Sequence, residues 1–401
     1  MSTVKLARRL SVVEPSPTLA VSAKAAKLKA EGIDVVSFGA GEPDFDTPSF
    51  IKEAAKKALD AGATKYTNVE GTPALRKAVA KWIGDAHGLV IDPGEVIVSS
   101  GAKQSIYNVA MALLDEGDEV IIPTPAWVSY NDIVKMAGGK PVNVPTKADE
   151  NFQVRVEDVA KAITPRTKMI MVCSPSNPTG AMYDESTLRA LAKIAVEKGL
   201  WLMTDDIYRT LIYGDAKFFQ PATVSPETRA HTIIIDGVSK AFAMTGWRVG
   251  FTVAPKPVVE AMATIQGQST THAASVAQAA AVAALEGPTD ELEKMRQEFD
   301  KRRKVMVSRL REIPGVKCVE PKGAFYAFPD LSAFIGKKTP EGKTIENDVQ
   351  LCEWLLEAAK VAVVMGSAFG APGFVRLSYA TSMKNIEEGV RRMAEWLPKL
   401  A

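Results

Sequence analysis

Between Glu95 and Gly250 the chain repeats one pattern: a short apolar run, a polar turn, then a stretch with helical spacing. The runs are Val96-Ile97-Val98, Glu119-Val120-Ile121-Ile122, Lys168 to Cys173, Leu200 to Thr204 and His231 to Val238. They show almost no polar alternation, so both faces of each strand have to be covered. Strands of that kind, separated by helices, make a mostly parallel sheet sandwiched by helices, an α/β architecture. Parallel strands deliver their C-terminal ends to one edge, and open α/β sheets bind ligands there.

Polar residues stand at those ends. Asn177 follows the Lys168 run, Asp205 and Tyr208 follow the Leu200 run, and Ser239-Lys240 follows the His231 run. An amide, a carboxylate, a phenol and an amine gathered at one buried edge are costly unless they bind something. Lys240 taken alone reads as a solvated loop lysine. To attack a carbonyl it has to be neutral, and burial or a neighbouring cation lowers its pKa. Arg248 is such a cation, and its fork also suits a phosphate. The small-residue loop Ser99-Ser100-Gly101-Ala102-Lys103-Gln104 feeds a helix start, where free N–H groups and the helix dipole favour an anion. It lacks the spacing of a Walker loop. Trp127, just past a strand end, is either a core filler or a flat surface for a planar ligand. Tyr66, in the polar loop from Lys65 to Arg76, reads as surface or partly packed.

The rest of the chain narrows the classes. A length of 401 residues favours two domains, which we expect at 48–290 and, discontinuously, at 1–47 with 291–401. A net charge of +2 without a basic stripe argues against nucleic acid. No apolar run approaches the ~18 residues that span a bilayer. Lys5, Arg8 and Arg9 lack a following apolar segment, so no secretory signal is expected. Cys173, Cys318 and Cys352 lie far apart in apolar contexts, as reduced cysteines of a cytoplasmic protein do. Three histidines leave little room for a metal site, and none is expected. Gly39-Ala40-Gly41-Glu42-Pro43-Asp44 lacks the third glycine of a dinucleotide loop, although its glycines allow close backbone approach to a ligand. Downstream we expect a long charged helix from Thr289 to Glu312 and strands near Val316–Val319, Ala324–Phe328, Val361–Val364 and Phe374–Tyr379. A helix over Asp348–Lys360 and a terminal helix complete a smaller α/β unit. Arg376 falls in mid-strand, where an arginine needs a carboxylate or phosphate.

Several long segments stand together in one order: Ala40-Gly41-Glu42-Pro43-Asp44-Phe45-Asp46-Thr47-Pro48, Ser176-Asn177-Pro178-Thr179-Gly180, Asp206-Ile207-Tyr208 and Ser239 to Arg248. In these the chain resembles the class I aminotransferases of pyridoxal-phosphate fold type I, and among them the bacterial aspartate aminotransferases. The resemblance covers nearly the whole chain. It implies pyridoxal 5′-phosphate as cofactor, with Lys240 condensing with its aldehyde and later moving the proton between the substrate Cα and cofactor C4′. It implies that Asp205 pairs with the ring nitrogen, that Asn177 and Tyr208 bond the ring oxygen, and that Trp127 stacks on the ring. The phosphate would be held by Gly101, Ala102, Lys103 (through its backbone), Ser239 and Arg248, with Tyr66 arriving from the second subunit of a homodimer. Arg376 would fork onto the substrate α-carboxylate, assisted by Gly41, Trp127 and Asn177. The implied reaction is ping-pong transfer of the amino group of L-aspartate, or a related amino acid, to 2-oxoglutarate. An aromatic or prephenate aminotransferase is the alternative, and a lyase on the same lysine a lesser one. A cofactor-sensing regulator would carry an added DNA-binding segment, and no helix-turn-helix is seen. The pair Asp205-Asp206 replaces the family's Asp-Glu and leaves the ring partner in place. No arginine stands near Ser269–His272 for the distal carboxylate, which leaves His272, Thr18 or a lysine.

Overall fold

The computed structural model describes residues 6–13, 15 and 17–401; Lys5, weighed above, lies outside the described residues. After a two-residue strand β1 (Val36–Ser37), the chain lays down β2 (Val96–Ser99), β3 (Glu119–Thr124), β4 (Lys140–Pro145), β5 (Thr167–Cys173), β6 (Trp201–Asp205), β7 (Thr232–Gly237) and β8 (Gly250–Val253). These last seven form one sheet in the order β2-β8-β7-β6-β5-β3-β4. β8 runs antiparallel to both its neighbours, and the other pairings are parallel. The expected mostly parallel sheet is therefore mixed by one strand.

The unbroken apolar runs have a direct cause. Val120, Ile122, Met169 and Met171 join one core with the helices Pro73–His87 and Ala102–Leu113. Their chain neighbours Ile121, Ile170 and Val172 join a second core with Leu188, Leu191 and Ala195 of the helix Glu185–Lys198. Successive side chains of a strand point to opposite faces, so a strand buried on both has no polar position.

Two smaller sheets complete the structure. Following β9 (Tyr326–Ala327), β10 (Val361–Ala362) and β11 (Val364–Met365), β12 (Val375–Ser378) pairs antiparallel with β9 and β11. β1 pairs in parallel with β10. The helix Asp290–Arg311 carries Arg302, whose guanidinium bonds Asp44 at 2.7 Å and lies over Phe45. It thereby anchors the segment that follows Gly39–Glu42.

Some expectations need correction. Val316–Val319 forms no strand; Lys317 makes a single bridge to Asp330. The helix Asp348–Trp354 loosens into a π turn over Leu355–Ala359, and Lys360 closes it with φ +57°. The strands β4 and β8 escaped the sequence reading: β4 is an edge strand with two prolines and several exposed positions, and β8 is four residues long. The three cysteines are buried and free, as expected.

Candidate active site

The parallel register brings Cys173, Asp205 and Gly237 to one edge of the sheet, and β8, which starts there antiparallel to its neighbours, sets Gly250 opposite both Gly237 and Ser99. A cavity of about 510 Å³ opens over that edge. Gly41, Ala102, Lys103, Trp127, Asn177, Asp205, Tyr208, Ser239, Lys240, Arg248 and Arg376 all line it. Residues separated by more than 300 positions in the chain meet there because β12 delivers Arg376 opposite the large sheet.

Lys240 sits in the short turn Val238–Ala241 directly after β7. Its Nζ donates to the Gly41 carbonyl at 2.6 Å. Burial lowers its pKa to about 8, with Arg248 and Arg376 pushing the same way and Glu42 opposing them. A minority of this amine is therefore neutral near pH 7, far more than for an ordinary lysine. Asp205 is the mirror case: burial raises its carboxyl to about 6, against the hydrogen bonds from Tyr130 and the Ile207 N–H. The Tyr130 phenol donates to Asp205 Oδ2 at 2.5 Å, and the Ile207 N–H to Oδ1 at 3.3 Å. Asp206 points elsewhere; Gln220 donates to it at 2.6 Å.

At the other end, Arg376 is 2% exposed. Its Nη1 donates to the side-chain amide oxygen Oδ1 of Asn177 at 3.0 Å and Nη2 to the Gly39 backbone carbonyl at 2.9 Å. Its Nε has no partner, and the rings of Tyr326 and Phe369 lie 4.6 and 5.2 Å from the guanidinium carbon. A buried guanidinium with only neutral partners and an unused donor fits an incoming carboxylate. Tyr208 and Tyr326 join hydroxyls at 2.8 Å beside it.

The third corner is an anion cradle. Gly101 adopts φ +94° ahead of the helix Ala102–Leu113, whose start has no side-chain cap. A Cβ on Gly101 would strike the Arg248 guanidinium, and one on Gly250 would strike the Ala102 backbone nitrogen. Both glycines are needed for the close approach of guanidinium, strand and helix start. Arg248 itself bonds the Thr245 carbonyl at 2.9 Å. Uncapped helical N–H groups next to an arginine suit a phosphate.

Not every expected residue lies in the cavity. Gly101 stands behind its wall. Tyr66 is 90% exposed and lies outside it. His272 also lies outside the lining: its Nε2 accepts the Thr67 N–H at 3.3 Å, and its ring meets Tyr66 edge-on. Thr18 does line the cavity, and Lys103 holds its Nζ 4.8 Å over the Trp127 ring. Tyr130 and Tyr326 were missed from sequence. The signal available for Tyr130 was its position three residues after Trp127, on the first turn of the helix Ser129–Met136.

The model of the family described as aminotransferase class I and II matches residues 33–393. The chain belongs to the class I and II aminotransferases. This aminotransferase is 47% identical to the aspartate aminotransferase of Geobacillus stearothermophilus over 98% of its own length and 99% of the relative's. It is 46% identical, with the same coverage, to the probable aspartate/prephenate aminotransferase of Aquifex aeolicus. The crystal structure of the Rhizobium meliloti aspartate aminotransferase superposes with a TM-score of 0.96 at 44% identity, covering all of both chains. Membership of that family implies pyridoxal phosphate as the cofactor and amino acids and 2-oxo acids as the substrates. The phosphate cradle, the partly neutral lysine and the buried carboxylate of this aminotransferase fit that cofactor. No helix among the described residues is long and apolar enough to cross a membrane, and no group of metal-ligating side chains occurs among them.

Proposed function

We propose that this chain transfers the amino group of L-aspartate to 2-oxoglutarate, giving oxaloacetate and L-glutamate in a ping-pong cycle. The observation that carries the reading is the shared cavity of Lys240, Asp205 and Arg376, with a second ammonium, Lys103, on its wall. Pyridoxal phosphate, when bound, supplies an aldehyde for the amine and a ring that accepts electrons. Lys240 would meet that aldehyde as the neutral amine and would hold the proton moved to and from the substrate Cα. Asp205 would pair with a protonated ring nitrogen, and the hydrogen bond from Tyr130 favours its charged form. Asn177 and Tyr208 would bond the ring oxygen, and Trp127 would supply a flat surface for the ring. Ala102, Lys103 (backbone), Ser239 and Arg248 would hold the phosphate, and Gly101, behind the wall, would shape the turn that presents them. Arg376 binds the α-carboxylate, with Gly41, Trp127 and Asn177 beside it.

The distal carboxylate has a partner in this reading. Lys103 and Lys240 are the lysines of the cavity lining, and Lys240 is committed to the chemistry. Lys103 is thus the ammonium left for a second carboxylate, with Thr18 nearby, whereas His272 bonds Thr67 instead. Prephenate also carries a second carboxylate, and a relative named for prephenate supports it as a second substrate. We further propose a cytoplasmic homodimer with Tyr66 lent to the partner subunit, supported by its exposed ring. The proposed division of the chain, 48–290 against 1–47 with 291–401, is supported by the pairing of β1 with β10.

A donor and acceptor panel tests the substrates, with aspartate and phenylalanine as amino donors and prephenate as an amino acceptor. Aspartate and prephenate should be used well and phenylalanine poorly. Lys103→Ser should raise KM about tenfold or more for the two dicarboxylates and leave phenylalanine unchanged, the effect of losing one charged hydrogen bond. Equal losses for all three would remove Lys103 from the distal site.

A further inference from the structure

The segment from Gln266 to His272 carries no arginine for substrate, yet its two ends, Gln266 and His272, both bond the loop that holds Tyr66. Gln266 is fully buried at the end of the helix Lys256–Gly267. Its amide oxygen accepts Ser99 Oγ at 2.7 Å and Asn108 Nδ2 at 2.9 Å. Its amide nitrogen donates to the Val69 carbonyl at 2.7 Å and the Val98 carbonyl at 2.8 Å. All four hydrogen-bonding positions of one carboxamide are therefore filled.

The four partners belong to two structures. Ser99 and Val98 end β2 just before Gly101, and Asn108 lies on the helix that starts at the anion cradle. Val69 belongs to the Tyr66 loop. That loop has a second buried amide anchor: Gln278 donates to Thr67 Oγ1 at 3.0 Å and accepts the Thr72 N–H at 2.8 Å. His272 closes the clamp from the side, on Thr67 N–H and the Tyr66 ring. Two fully buried carboxamides are an expensive way to fill space, because each must be bonded throughout. They are well suited to fixing an exposed loop in one position.

We propose that Gln266 is a positioning residue for Tyr66. It registers the Tyr66 loop against the phosphate end of its own subunit and acts, through Tyr66, on the cofactor phosphate of the partner subunit. The inference rests on the homodimer reading above. It implies that Gln266 affects binding of the phosphate and not of the ring.

The test uses the cofactor-free dimer titrated with pyridoxal phosphate and, separately, with pyridoxal, which lacks the phosphate. Variants Tyr66→Phe, Gln266→Met and their combination are compared by absorbance. Each single variant should bind pyridoxal phosphate about tenfold more weakly, the loss of one charged hydrogen bond, with pyridoxal unchanged. The double variant should bind no more weakly than the worse single one, since both act through one contact. If Tyr66→Phe shows the loss but Gln266→Met keeps the wild-type ratio of the two ligands, or the two losses multiply, the inference is overturned and the dimer reading stands. If Tyr66→Phe binds both ligands as the wild type does, the dimer reading falls and the inference with it. Should Gln266→Met fail to fold, Gln278→Met cuts the other amide anchor and is judged by the same outcomes.

Discussion

Lys240 and Arg376 are two cations in one cavity, and the protein treats them in opposite ways. Burial lowers the pKa of both. For the lysine this ends at about 8, close enough to neutrality for the amine to act as a nucleophile. For the arginine the starting value is so high that the charge survives. One end of the cavity therefore holds a proton it can release, and the other a charge it cannot lose. In the proposed function that difference separates chemistry from binding. A lysine at 376 would hold its charge less firmly under the same burial, and an arginine at 240 would never be a nucleophile.

The contrast can be broken most severely at the lysine. Lys240→Ala should reduce turnover to background while thermal unfolding still shows a folded protein; measurable steady-state transfer would put the chemistry on another group. In the wild type the rate of aldehyde capture by the cofactor-free protein should rise with pH and level off above about 8. The sign follows from the depressed pKa: the amine is protonated and inert below it and free above it. A rate still climbing at pH 10 would mean an ordinary lysine.

Next in size is Arg376→Ala. The α-carboxylate loses at least one charged hydrogen bond of ~1.5–3 kcal/mol, so KM should rise by one to two orders of magnitude for every amino acid. Arg376→Lys should recover only part, and an unchanged KM would remove Arg376 from the site. The smallest effect belongs to Tyr130→Phe, which keeps the ring and removes the donor to Asp205. Because that hydrogen bond holds the carboxyl down, the acid limb of cofactor binding, near pH 6, should move upward by on the order of one pH unit. Movement downward, or none, would show that Tyr130 merely packs.

The same contrast governs what was legible in the sequence. The lysine end was readable, because strands buried on both faces announce themselves as unbroken runs and the polar residues that follow them share one edge. Asn177, Asp205, Ser239 and Lys240 were found that way. The arginine end depends on long-range placement. Arg376 was visible as an odd mid-strand charge, but Tyr326, under its guanidinium, looked like any core aromatic of the Ala324–Phe328 run. Tyr130 was hidden likewise, since a phenol on an amphipathic helix is ordinary until its partner is known. The π turn after Trp354 and the missing strand at Val316–Val319 reflect packing that overrides local propensity.

One measurement addresses the central claim most directly. The protein loaded with pyridoxal phosphate is reduced with borohydride, digested, and the peptide carrying the phosphopyridoxyl mass located. The account predicts that the label sits on Lys240, one per chain. A label on Lys103, the other lysine of the cavity wall, or no stable label at all, would contradict it.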